Sequence, residues 1–155
     1  MISEKLRIYL ETSVISMYFQ DDTPYLMDLT RLFWNEILPD FEACVSDATF
    51  DELTAIKNPQ LKQQVRNLIK DFAVLERTVE TDKITDLYLL QRKLPHADAM
   101  HLAFASLGRT DYLVTWNLRH LYKQGTQEVV REINMRLRLP VPAIVTPENF
   151  FEEET

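Results

Sequence analysis

A chain of 155 residues, 46% hydrophobic and 26% charged, has the size and balance of one soluble domain with its own core. Its 2 glycines, Gly108 and Gly125, are too few and too far apart for a phosphate-cradling loop, a dinucleotide fingerprint or a nucleophile elbow. With 17 basic against 24 acidic residues, the formal charge of −7 argues against a broad basic face for nucleic acid, so a polyanionic substrate would need a metal or clustered Arg and Lys.

Met1 to Arg7 carries no signal-peptide pattern and no apolar run reaches membrane-spanning length, so a cytoplasmic location without a membrane partner is expected. Leu6 to Leu10 reads as a short β-strand that ends at Glu11-Thr12-Ser13. Val14, Ile15, Tyr18 and Phe19 then keep helical spacing. Asp22-Thr23-Pro24 interrupts this pattern, and a second amphipathic helix runs from Tyr25 to Leu38. Ala43 to Ser46 is a second strand. It contains Cys44, the single cysteine, which excludes an internal disulfide and a multi-cysteine zinc site and suits a reducing compartment.

Asp47 to Leu53 reads as a helix with acids near its positive end. Another helix follows around Leu61 to Phe72, then a strand from Ala73 to Glu76. Asp82 to Leu94 and His96 to Leu107 are helices parted by Pro95, with Gly108 as C-terminal cap. Asp111 to Thr115 is the clearest strand, broken by Trp116-Asn117. A helix from about Thr126 to Arg138 and a strand from Ala143 to Pro147 complete the pattern. Residues 1–150 thus read as one domain and 151–155 as an acidic, solvated tail. Five apolar strands separated mostly by helices predict an α/β domain with a mainly parallel sheet.

In such sheets, polar groups that act together gather beyond the carboxyl ends of the strands. Glu11 follows the first strand, Glu52 lies within two turns of the second, Asp98 opens the helix before the fourth, and Asn117 follows the fourth. Asp111 begins its strand, so roughly 13 Å of chain separates it from that edge and excludes it. Three carboxylates and an amide in one crevice suit a hard divalent cation, magnesium or manganese. Such an ion activates water for attack on phosphorus and offsets the charge developing on the phosphoryl oxygens.

Four segments in order carry a family resemblance. Leu6-Arg7-Ile8-Tyr9-Leu10-Glu11-Thr12-Ser13-Val14-Ile15 resembles the opening motif of the PIN-domain family. Ser46-Asp47-Ala48-Thr49-Phe50-Asp51-Glu52-Leu53 is similar to its second motif, and His96-Ala97-Asp98-Ala99-Met100-His101-Leu102-Ala103-Phe104-Ala105 to its third. Asp111 to Leu121 is similar to its fourth, and Ile144 to Phe150 to its closing strand and turn. The family consists largely of metal-dependent ribonucleases, many of them VapC-type toxins. The resemblance implies a three-layer α/β/α sandwich with a central five-stranded sheet, Mg2+ or Mn2+ at a shared acidic site, and RNA as substrate. It further implies a cognate antitoxin and a homodimer formed through apolar helix faces.

On this reading Glu11, Glu52 and Asp98, assisted by Asn117, hold the metal and serve catalysis. Thr12, Ser13 and Thr115 support them, and Arg119 contacts substrate phosphate. Two positions depart from the family pattern: its first acid is usually aspartate and here is Glu11, and its fourth is often aspartate and here is Asn117. These departures motivate the alternative, a catalytically inactive PIN-like module that binds RNA or a protein partner. An aspartyl phosphatase would want Asp where Glu11 stands. Each residue also has a plainer reading. Thr12 and Ser13 suit a helix start, and Glu52 and Asp98 favour helix dipoles. His101, three residues beyond Asp98, either polarises Asp98 or touches substrate or, more plainly, takes a hydrogen-bonded place at the core edge. Trp116 either packs beneath the acids or stacks on a base, and Phe33 and Trp34 read as core or dimer-contact residues.

Overall fold

The computed structural model describes residues 5–151. Phe151, the first residue of the expected 151–155 tail, instead ends a 3-10 turn and packs against buried apolar residues. The rest of that tail, and the first 4 residues of the segment read for a leader, lie outside the described residues. The chain alternates strands β1 (Arg7–Leu10), β2 (Glu42–Ser46), β3 (Ala73–Leu75), β4 (Tyr112–Val114) and β5 (Ala143–Val145) with seven helices. These are α1 (Thr12–Met17), α2 (Pro24–Glu36), α3 (Asp47–Leu53), α4 (Pro59–Ile69), α5 (Val79–Gln91), α6 (His96–Leu107) and α7 (Gln124–Leu137). Short 3-10 turns at Leu38–Asp40 and Pro147–Phe151 complete the described elements.

All four strand pairings are parallel, in the order β3-β2-β1-β4-β5. The expectation of a mainly parallel sheet becomes a wholly parallel one. Alternation along each strand assigns its side chains to two faces. Tyr9, Cys44, Leu113 and Ile144 join a core built with α5, α6 and α7. Ile8, Leu10, Val45 and Val114 join a second core with α1, α2 and α4. This is a three-layer α/β/α sandwich. Burial on both faces explains why the strands read as continuous apolar runs. Phe33 is fully buried in the second core and Trp34 packs against it, so Phe33 is a core residue.

Element boundaries moved where capping was decisive. Helix α5 starts three residues earlier than its apolar spacing suggested, because Thr78 caps it: Thr78 Oγ1 accepts from Thr81 N, and Thr81 Oγ1 from Thr78 N. Asn58 caps α4 one-sidedly, its Oδ1 accepting from Gln60 N and Leu61 N, with Pro59 in the first turn. Gly108 is the C-cap of α6, but the left-handed backbone falls on Arg109, φ 53°. What Gly108 supplies is room, since a Cβ there would lie 2.6 Å from Leu75 Cδ1.

A polar knot joins three helices inside the first core. Tyr88 Oη donates to Asn134 Oδ1 at 2.5 Å, and Asn134 Nδ2 donates to Ser106 Oγ and Pro140 O, each at 2.8 Å. Ser106 Oγ in turn donates to Leu102 O. Every polar atom of this buried group has a partner, which is the condition for polar groups to sit in a core without penalty.

Candidate functional site

Strand order reverses between β1 and β4, the switch point beyond whose carboxyl ends parallel sheets place their crevice. Leu10 lies beside Val114 in register, so the residues after them, Glu11 and Thr115, face one another. Glu11 is the N-cap of α1 and is only 5% exposed. Its carboxylate accepts from Ser13 N at 3.0 Å, Ser13 Oγ at 2.6 Å and Thr115 Oγ1 at 2.6 Å. Trp116 N in turn donates to Ser13 Oγ at 2.8 Å. All of these donors to the carboxylate are neutral, and no ion pair reaches Glu11 among the described residues. The buried negative charge is held in place without being neutralised.

Glu52 stands on the last turn of α3, and the turn of α6 that carries His101 brings the two together. His101 Nε2 lies 2.5 Å from Glu52 Oε1. The imidazole is 1% exposed, whereas the Glu52 side chain keeps 38% of its surface in solvent. On its other side His101 Nδ1 meets Tyr9 Oη at 2.6 Å, and Tyr9 Oη meets Ser46 Oγ at 2.7 Å. Burial pushes the Tyr9 phenol well above its usual pKa, so it keeps its proton. Thr12 Oγ1 approaches His101 Nε2 at 3.5 Å. Glu11, Glu52 and His101 offer one ligand atom each within 4.8 Å of one another.

Asp98 sits half-buried in the first turn of α6. Its carboxyl pKa is raised, chiefly by burial and next by the charge of Glu11; the Asn117 hydrogen bond, His101 and His120 oppose the rise. Asn117 does not turn its carbonyl oxygen toward the acids. Oδ1 accepts from His120 N at 2.9 Å, and Nδ2 donates to Asp98 Oδ2 at 3.1 Å. An amide in a tight turn satisfies a local backbone N–H first, so Asn117 holds Asp98 where the sequence suggested a ligand oxygen. Arg119, on the same turn, is exposed. Trp116 is fixed by Nε1 donating to Thr30 Oγ1 at 2.8 Å and packs on the second core, which selects packing over base stacking. Asp111 lies at the opposite end of the sheet, where Oδ2 accepts from Arg7 N.

The neighbour of Glu11 and Glu52 that the sequence reading left out of its set of candidate ligands is His101. Its signal was present: it lies three residues after Asp98 on α6, on a neighbouring helix face.

The raised pKa of Asp98 yields a stability prediction. An acid whose folded pKa is raised binds its proton more tightly in the folded chain. Ionised Asp98 therefore costs stability above that pKa, and the cost fades as pH falls through it. In metal-free buffer Asp98→Asn is expected to melt higher than wild type at neutral pH. The gap should close as pH drops from the raised value to below the ordinary carboxylate range. Thermal melts in chelator across that window read it, and a gap independent of pH would refute the assignment.

Comparison with known proteins bears on the fold. No family model matches the sequence, and no curated relative matches it. The structure is similar to that of a toxin-antitoxin complex from Klebsiella pneumoniae, with 18% identity and a TM-score of 0.60 over 77% of this chain and 93% of that one. It is also similar to VapBC2 from Rickettsia felis bound to a DNA fragment from their promoter. There the identity is 12% and the TM-score 0.57, over 91% of this chain and 98% of that one. The architecture is thus a PIN-like α/β/α sandwich. More particularly, the chain has a PIN/VapC-like fold. Among the described residues no helix is long and apolar enough to cross a membrane.

Proposed function

We propose that this protein is a divalent-metal-dependent endoribonuclease, the toxin of a toxin-antitoxin pair. The observation that carries the reading is the Glu11 carboxylate, buried beside Glu52 and Asp98 and, among the described residues, hydrogen-bonded only by neutral donors. Such an excess of negative charge suits a divalent cation. Glu11, Glu52 and Asp98 would hold Mg2+ or Mn2+, with Ser13 and Thr115 orienting Glu11 and Asn117 orienting Asp98. When bound, the ion supplies Lewis-acid activation of water and offsets charge at phosphorus. Arg119, exposed beside the crevice, would draw the RNA backbone to a chain that is acidic overall.

The toxin-antitoxin complexes of similar fold support an antitoxin partner for this chain. A basic side chain, best an Arg able to meet carboxylates in bidentate fashion, would plug the crevice. The homodimer would form on apolar helix faces, for which α5 leaves Val79 and Leu90 exposed. A cytoplasmic site of action accords with this reading.

Cleavage of RNA with added manganese, comparing wild type with Glu52→Gln, tests the proposal. The variant is expected to lose about 10²-fold in rate, and equal cleavage by both would remove the site assignment. The alternative, an inactive module binding RNA or protein, draws on Glu11 and on the Asn117 amide, which donates a neutral hydrogen bond to Asp98 where a further carboxylate would add charge. Calorimetry separates the two, since such a module could hold RNA without binding a divalent ion.

A further inference from the structure

We propose that His101 Nε2 is itself a ligand of the ion, making the centre a mixed nitrogen and oxygen site that prefers Mn2+ to Mg2+. This inference rests on the metal-dependent reading above and deepens it. Nε2 lies within 4.8 Å of ligand oxygens on both Glu11 and Glu52. The ring is buried, so its position is set by the core and no large side-chain entropy is lost on binding.

The contact between Nε2 and Glu52 Oε1 at 2.5 Å occupies the place where an ion would be shared. To share an ion the two atoms would have to part, and that movement falls to Glu52, the more exposed partner.

Proton placement also permits it. The contacts at both ring nitrogens are open to either tautomer. The tautomer that would ligate through Nε2 carries its hydrogen on Nδ1 and would donate it to Tyr9 Oη, with Tyr9 in turn paired to Ser46 Oγ. A ligating histidine ordinarily donates its second N–H to an oxygen in this way. Tyr9, the fully buried residue between His101 and Ser46, supplies one and can reverse the direction of its bond. Imidazole nitrogen suits transition ions, whereas magnesium keeps to oxygen and water.

Electron spin-echo modulation of the full-length wild-type protein loaded with Mn2+ tests this without any assay of activity. Coupling to an imidazole nitrogen is expected. In His101→Gln the coupling should vanish, and calorimetry should show Mn2+ affinity falling at least about tenfold while Mg2+ affinity changes less. In Tyr9→Phe the coupling should persist with about 10- to 100-fold weaker binding. Bound Mn2+ without nitrogen coupling would overturn the inference and leave the metal-dependent reading standing, with His101 merely steering Glu52. Wild-type protein that binds no Mn2+ would overturn both.

Discussion

Glu11→Gln is expected to lower manganese-dependent RNA cleavage by about 10³-fold and to abolish the rise in melting temperature that millimolar Mn2+ gives the wild type. The reasoning is electrostatic and geometric at once. Glutamine keeps the length of the side chain but removes the most deeply buried of the three carboxylates. Its amide NH2 also cannot accept. Three donors, Ser13 N, Ser13 Oγ and Thr115 Oγ1, now converge on the two carboxylate oxygens, and at least one would lose its acceptor. An ion that binds only the folded protein stabilises it by mass action, about 2.7 kcal/mol at 100 times Kd. Melting with and without Mn2+ therefore reads the site independently of turnover. A variant that keeps the full Mn2+ shift would show that Glu11 is not part of the ion's surroundings.

The largest stability effect is expected at Asn134→Asp. The substitution is nearly isosteric, and Tyr88 Oη retains its acceptor. The oxygen that replaces Nδ2, however, would face the carbonyl of Pro140 and the oxygen of Ser106, both of which now accept from that nitrogen. A buried carboxylate with opposed lone pairs and no cation costs about 3–5 kcal/mol. At about 2–4 °C per kcal/mol for a domain of this size, the melting temperature should fall by about 10 °C at neutral pH. Acidification should recover part of the loss, because protonating the new carboxyl removes its charge and restores one donor. Asn134→Ala, which deletes the hydrogen bonds without adding charge, should cost less, about 1–3 kcal/mol. If the two variants melt together, buried charge is not what makes this position sensitive.

The crevice was legible in the sequence to the extent that its residues are placed by local pattern. Glu11 and Asn117 follow short apolar runs, and in a parallel sheet the ends of such runs share one edge. Asp111 could be set aside by the same argument, because it precedes its run. Contacts between side chains distant in the chain were not legible. Nothing in the spacing of Tyr9, Ser46, Glu52 and His101 shows that β1, β2, α3 and α6 bring them into one hydrogen-bonded row. Likewise, the Asn117 side chain could be placed beside the acids but not oriented. Its orientation follows from the His120 N–H, which the turn after β4 aims back at it.

Strand and helix identity, the two-sided burial of the sheet and the edge on which the acids stand are properties of neighbours in sequence. Hydrophobic periodicity and turn chemistry act over a few residues, so the amino-acid order by itself determined them. The strand order, the capture of Glu52 by a buried imidazole and the knot around Asn134 were decided only in three dimensions. Each depends on packing two or more elements at separations of a few ångströms. Hydrogen bonds and ion binding fall off over that same distance, and no one-dimensional pattern records it.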